Sequence, residues 1–179
     1  MNDALRFRKI SLSDIEERTK ILNERESIDG ITIEIPVSLT GSDQWFDKIH
    51  KDLSRRDFVL DCNGVSIGFS GIVNINYKDR NGEVYIFISN KNHGKGFGSK
   101  LLNLTILFAK LELNLRKITL YVTSSNAYAT SFYEKNGFER EGLLKNHIWH
   151  RGKYRDRMIF SIFTEKIDNK EDYLYSYIS

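Results

Sequence analysis

The chain has 179 residues, 40% of them hydrophobic, which suits one well-buried domain over residues 1–179 and leaves too little for two. Its 27 basic and 24 acidic residues are interspersed and sum to a formal charge of +3, so no basic stripe or tail marks a nucleic-acid binder, although the bias favours a polyanionic ligand. The first residues lack the apolar core of a signal peptide, no apolar run approaches a membrane span, and the lone cysteine, Cys62, excludes an internal disulfide framework; a soluble, cytoplasmic protein without membrane contact is expected.

Residues Leu5 to Ile10 alternate in character and predict a strand, and Ser11-Leu12-Ser13-Asp14 supplies helix-start residues ahead of Ile15, Ile21 and Leu22. Ser27 to Thr40 is β-branched, holds the only proline, Pro36, and reads as an extended or loop segment of the kind that binds substrates. Thr40-Gly41-Ser42-Asp43 opens a second helix, with Trp45, Phe46, Ile49 and Leu53 at helical spacing through Arg56. Asp57 to Cys62 and Val65 to Ile75 predict a hairpin, because Asn63-Gly64 supplies the positive φ angles of a two-residue turn. Cys62 in this context is a strand residue at a turn rather than a nucleophile. A further turn at Asp79 to Gly82 leads into the strand Glu83 to Ile88, which completes three consecutive antiparallel strands.

That last strand runs into N-H-G-K-G-F-G-S-K-L-L (Asn92 to Leu102), where Gly94, Gly96 and Gly98 precede an amphipathic helix. A strand, a bare backbone loop and a helix N-terminus in this order make an anion site, because glycines admit close backbone approach and the first helical turn leaves N–H donors free. The spacing fits neither common nucleotide fingerprint. Gly94-x-Gly96 is followed by Ser99 and Gly96-x-Gly98 by Leu101, so G-x-G-x-x-G fails in both registers and a nucleotide-binding oxidoreductase is disfavoured; G-x-x-x-x-G-K-[ST] fails because Ser99 stands where its second glycine belongs. A glycine-rich turn that binds nothing stays open on this stretch alone.

The helix after the loop carries Leu101, Leu104, Phe108, Leu111 and Leu115 on one stripe and should end near Asn114. Lys117 to Val122 predicts a strand, parallel to the preceding one or splayed from it, since a helix links the two. A helix from Asn126 to Lys135 follows, closed by Asn136-Gly137. Phe138 to Leu144 and Tyr154 to Phe163 predict two strands joined by a loop, Lys145 to Lys153. The extension 164–179 places Tyr173, Tyr175 and Tyr177 on one side of an alternating pattern, which calls for cover by the domain body or by a second subunit in a homodimer.

The pairing of H-G-K-G-F-G-S-K-L-L with N-A-Y-A-T-S-F-Y-E-K-N-G-F (Asn126 to Phe138) resembles the acetyl-CoA site of the GNAT superfamily of N-acetyltransferases. Most of the chain shares the likeness, and Glu141 to Leu144 with Gly152 to Asp156 is similar to the branch of ribosomal-protein, spermidine and amino-sugar acetyltransferases. The resemblance implies an α/β (α+β) fold: a mixed, largely antiparallel central sheet, splayed at the acetyl-CoA site, with helices on both faces. It implies an acetyl-CoA-dependent enzyme that moves an acetyl group to a primary amine by direct attack in a ternary complex. The backbone of Gly94, Lys95, Gly96, Phe97, Gly98 and Ser99 would hold the pyrophosphate, with the pantetheine arm along Glu83 to Ile88 at Phe87 and Ile88, and Asn126 at the next strand's end. His93 departs from the Gln or Arg of the family signature, yet an imidazole still donates to a phosphate.

The chemistry needs a neutral nitrogen, a stabilised oxyanion and a proton for the departing thiolate. By resemblance Tyr133 hydrogen-bonds or protonates the thiolate and Glu83 accepts the amine proton; read on their own, Tyr133 is also a packed helix tyrosine and Glu83 a solvated strand-edge residue. Glu34 and Glu141 are further base candidates, and Asp156 would hold an amine or a loop. His147 and His150 are spaced as a metal pair, but no carboxylate or cysteine cluster completes a site, so no metal is expected. His50, Trp45 and Trp149 read as surface or packing residues, Trp149 in a loop that would line the acceptor cleft.

Lys145, His147, His150, Arg151 and Lys153 form a basic segment that would repel a polycation, while Asp29 and Glu34 would hold one ammonium group. The expected acceptor is therefore an amino sugar, another small amine or a protein N-terminus ahead of a polyamine. A polyamine acetyltransferase and a non-catalytic acyl-CoA-binding sensor are the alternatives, and retention of Asn126 and Tyr133 argues against the sensor.

Overall fold

The computed structural model describes residues 4–24, 32–168 and 177–178. Strands β1 (Leu5–Lys9), β2 (Arg56–Cys62), β3 (Val65–Asn76) and β4 (Asn81–Ile88) follow one another in antiparallel pairing; β5 (Lys117–Thr123), β6 (Glu139–His150) and β7 (Lys153–Phe163) make the second half. Together they form one seven-stranded sheet in the order β1-β2-β3-β4-β5-β7-β6. The halves meet in a parallel pairing of Asn81–Glu83 with Lys117–Thr119, after which β4 and β5 part. Each strand keeps its outer neighbour to its end, β3 for β4 and β7 for β5, so their facing edges beyond Glu83 and Thr119 have no strand partner among the described residues. The expected splay is there, and it exposes backbone donors and acceptors to any ligand in the gap.

Alternation along the strands sorts side chains to two faces. On one, α1 (Ile15–Leu22) and α2 (Leu39–Ile49) close a cluster of Ile10, Ile15, Ile21, Phe46, Ile49, Val59 and Phe69, with Trp45 and Phe87 at its border. On the other, α3 (Phe97–Leu111) and α4 (Ala127–Lys135) cover the larger core, where Leu101, Leu104, Ile118, Leu120, Phe138, Phe160 and Ile162 are buried. Two buried hydroxyl pairs fix helix positions: Thr105 of α3 bonds Ser70 of β3 at 2.7 Å, and Thr19 of α1 bonds Ser42 of α2 at 2.7 Å. Unpaired, such hydroxyls would each cost about 1–3 kcal/mol.

Several expected boundaries move, each for a local reason. α2 begins before Thr40, because Ser38 accepts the N–H of Gly41 as its cap, and ends at Ile49 rather than continuing to Arg56. Asp52 accepts both N–H and hydroxyl of Ser54, a side-chain turn that diverts the chain and leaves Leu53 exposed. α3 stops at Leu111; Asn114 takes a positive φ of 51° and is gripped by Arg80, and Leu115 is buried from beyond the helix.

The loop expected from Lys145 to Lys153 is mostly strand. β6 continues to His150, with a bulge at Asn146, whose N–H donates to Asp156 at 2.7 Å, and a tight turn at Arg151-Gly152. His147, His150 and Trp149 therefore stand on a hairpin arm, where Trp149 meets Tyr154 edge-on. Asp29, Tyr173 and Tyr175 lie outside the described residues. Tyr177 is covered by the domain itself: its carbonyl accepts the N–H of Phe7 and its hydroxyl meets Lys100 at 3.0 Å.

Candidate active site

The gap between β4 and β5 opens into a cleft of about 310 Å³, lined by Ile86, Phe87 and Ile88 from β4, by the loop and first turn of α3, and by Asn126, Tyr128, Ala129, Phe132 and Tyr133. Gly96 is the residue before α3 and takes φ of +81°, a left-handed conformation that costs a side-chain-bearing residue about 1–2 kcal/mol. Helical bonding starts with the N–H of Lys100 on the Gly96 carbonyl, so the N–H groups of Phe97, Gly98 and Ser99 precede the ladder, and Gly96 supplies no side-chain cap. Gly94, Gly96, Gly98 and Ser99 all border the cleft. A phosphate-bearing ligand fits this turn, with its remaining length along the open edge of β4.

Of the expected coenzyme residues, Phe87, Ile88, His93, Gly94, Gly96, Gly98, Ser99, Asn126 and Tyr133 line this cleft. The side chains of Lys95 and Phe97 turn elsewhere: Lys95 reaches Asn92 at 3.3 Å, and Phe97 packs on the core. His93 places Nε2 2.9 Å from the carbonyl of Ile88 and so ties the loop to the strand end. Asn126 caps α4 through its oxygen, which accepts the N–H of Ala129 at 3.0 Å; its amide NH₂ is the donor left for a ligand. Ile86, Asn92, Tyr128, Ala129 and Phe132 also line the cleft and were not anticipated. For Tyr128, Ala129, Phe132 and Tyr133 the signal was available, since they share one face of a helix that starts at Asn126.

Tyr133 is buried between Phe132 and Phe138, with ring centroids 5.1 and 5.7 Å away. Burial alone pushes its phenol well above the ordinary tyrosine range, so it stays protonated and is available as a hydrogen-bond donor.

Glu83 lies where β4 and β5 begin to part, opposite Thr119, on the face covered by α1 and α2. Its Oε2 accepts Nδ2 of Asn74 at 3.0 Å. Asn74 belongs to a bulge in β3 and has a φ of +52°. The other base candidates sit apart: Glu141 pairs with Lys117 at 2.7 Å and accepts the Ser161 hydroxyl, Glu34 is exposed in the segment before α2, and Asp156 holds the Asn146 bulge. Cys62 ends β2 at its hairpin. Among the described residues no group of three or more His, Cys, Asp or Glu could hold a metal, and no helix is long and apolar enough to cross a membrane.

Beside Glu83 the same face carries a polar network. Gly71 lets the Tyr85 ring lie across β3, since a Cβ there would stand 2.4 Å from that ring. Tyr85 then donates to Asp57, which Arg55 grips with two hydrogen bonds at 2.7 and 2.8 Å. Burial and the adjacent Asp57 carboxylate hold the Tyr85 phenol protonated. The guanidinium of Arg18 lies 3.7 Å from the ring centre of Trp45 and 5.6 Å from that of Phe87. Trp45 is thus a stacking platform as well as a packing residue.

Residues 7–159 match the family model described as an acetyltransferase (GNAT) domain. A spermidine N(1)-acetyltransferase of Vibrio cholerae is 31% identical over 96% of this chain and 100% of its own length. One of Escherichia coli strain K12 is 36% identical over 66% of this chain and 63% of its own. The crystal structure of spermidine N-acetyltransferase from Vibrio cholerae in complex with CoA and spermine superposes with a TM-score of 0.85 at 29% identity, covering 91% of this chain and 97% of that one.

Proposed function

The chain belongs to the GNAT acetyltransferases, an N-acetyltransferase using acetyl-CoA, and from that premise we propose that Tyr133 and Glu83 serve an amine attacking directly across the β4/β5 gap. The observation that carries this reading is the position of the gap: the glycine turn and the buried Tyr133 phenol border it from one face, and Glu83 stands at its fork on the other. Acetyl-CoA, when bound, would supply the thioester: the amine nitrogen gains the acetyl carbon and coenzyme A leaves as the thiolate.

The chain's own groups do the rest. N–H groups of the glycine turn and first helical turn hold phosphate oxygens, and the open edge of β4 receives the amides of the pantetheine arm. A free primary amine has a pKa of about 10, so a carboxylate that takes its proton raises the share able to attack near neutral pH. Glu83, held by Asn74, does this directly or through water, and Tyr133 hydrogen-bonds or protonates the departing thiolate. Cys62 has no part, because transfer passes through no acyl-enzyme.

The acceptor is a primary amine, on a small molecule or at a protein N-terminus. An amino sugar or a protein N-terminus fits the exposed basic arm of β6 and β7; a polyamine is the second reading, favoured by the spermidine acetyltransferases among the relatives. A homodimer would leave the cleft of each copy complete, since every residue invoked comes from one chain. The test follows free thiol release from acetyl-CoA across polyamines, amino sugars, amino acids and N-terminal peptides. Acetylated product with at least one amine supports the reading; binding of acetyl-CoA without transfer to any of them would return the chain to the sensor class.

A further inference from the structure

Three of the four buried side-chain polar atoms that lack a hydrogen-bond partner among the described residues are guanidinium Nε atoms, those of Arg18, Arg155 and Arg157. Arginine donors are seldom left unmatched away from water, because each forfeited bond costs about 1–3 kcal/mol. All three belong to the sheet face that bears Glu83. Arg18 projects from α1 over Phe87, on the β4 side of the gap. Arg157 stands opposite Thr123 and lies over the Tyr121 ring at 4.7 Å, on the β5 side, and it feels the charge of Glu83 across the fork. Arg155 follows it on the same face of β7.

The charges on this face around the fork do not balance. Arg18, Arg55, Arg155 and Arg157 face Asp57 and Glu83, and Asp57 is already bound by Arg55 and Tyr85. Asp156 points its carboxylate to the Asn146 bulge instead. A polycation entering here would meet one carboxylate between cations, whereas an anion would find planar donors on both sides.

We propose that the acceptor is a small primary amine that also carries a carboxylate or phosphate, its nitrogen at Glu83 and its anionic group held by Arg18 and Arg157. This rests on the acetyltransferase reading and narrows its substrate class. Arg18 stacks on Trp45 and bonds the Tyr85 hydroxyl, Arg157 lies over Tyr121, and among the described residues neither guanidinium forms an ion pair that an incoming anion would have to displace.

The test compares glucosamine, glucosamine 6-phosphate, glutamate and spermidine as acceptors in the wild type and in Arg18→Gln, Arg157→Gln and Arg157→Lys. Charge-assisted pairing predicts that kcat/KM for the phosphate- or carboxylate-bearing amine exceeds that for glucosamine by about tenfold or more, and that Arg157→Gln removes most of this advantage, read as the ratio of the two kcat/KM values within each protein. Arg157→Lys should restore part of it, which a merely structural arginine would not. The phosphate and carboxylate arms tell the two anion sources apart. Spermidine preferred by the wild type, or an anion preference indifferent to both arginines, would overturn the proposal and leave acetyl transfer standing. Should none of the four turn over, calorimetric binding in the presence of CoA decides: tighter binding of glucosamine 6-phosphate or glutamate than of glucosamine and spermidine, lost in Arg157→Gln, supports it, and any other order overturns it.

Discussion

Asn74 donates its side-chain amide to Oε2 of Glu83 at 3.0 Å, across a bulge that breaks the β3/β4 register. The donor occupies the left-handed region at φ +52°, which asparagine tolerates better than most residues. A strained, hydrogen-bonded pair at the fork of a split sheet fits a carboxylate held in one orientation. Glu83→Gln should lower turnover near neutral pH by roughly a hundredfold, with the deficit shrinking at higher pH where more amine is already neutral. Asn74→Asp, which keeps the backbone preference and sets a second carboxylate beside the first, should move the acid limb of the rate profile to higher pH. Rate–pH profiles of both variants at saturating acetyl-CoA check this.

Tyr133→Phe should lower kcat by roughly tenfold to a thousandfold and leave coenzyme affinity nearly unchanged, because the ring's contacts with Phe132 and Phe138 survive and the proton does not. Steady-state kinetics paired with calorimetric CoA binding separate the two effects. Equal turnover in both proteins would leave Tyr133 a packing residue.

The glycine turn predicts ligand stabilisation. Acetyl-CoA at a hundredfold excess over its dissociation constant should add about 2.7 kcal/mol to stability. Gly96→Val should lose most of the melting shift: its φ of +81° excludes a β-branched residue, and the added bulk stands between phosphate and backbone. Melting curves of both proteins with and without ligand provide the measurement, and a wild-type curve unmoved by millimolar acetyl-CoA would refute the site.

A pH-dependent loss of stability should come from Asp14. Burial would raise its pKa, but hydrogen bonds from Arg8, Ser11 and Ser66 outweigh that and hold the carboxyl down to about 2. A depressed native pKa contributes stability that is full above the unfolded value near 4 and disappears as pH falls through about 2, worth about 2 kcal/mol. Urea midpoints between pH 5 and pH 2 should fall in the wild type and fall less in Asp14→Asn, which should be less stable at pH 7.

The run of β2, β3 and β4 and the glycine turn ahead of α3 were legible because local signals carry them: Asn63-Gly64 for the first hairpin, glycines at alternate positions before an apolar stripe, and Asn126 as a helix cap; the seating of β7 between β5 and β6 has no such signal. The hairpin arm was hidden. Lys145 to Lys153 is charged and lacks clean alternation because the bulge at Asn146 resets it, so a strand read as a loop. The base-side network was hidden for another reason. Arg18, Asp57 and Tyr85 meet, and Asn74 reaches Glu83, only through the pairing of β2, β3 and β4 and the docking of α1, and nothing in their spacing announces it. Asn74 in particular depends on a bulge that a strand pattern conceals.

The central claim is direct acetyl transfer within this cleft, and initial-rate kinetics with labelled acetyl-CoA test it most directly. Varying acetyl-CoA at several fixed concentrations of an accepted amine should give intersecting double-reciprocal lines, with label recovered on the amine nitrogen and none on the protein. Parallel lines, with label retained on the chain in the absence of amine, would contradict the account.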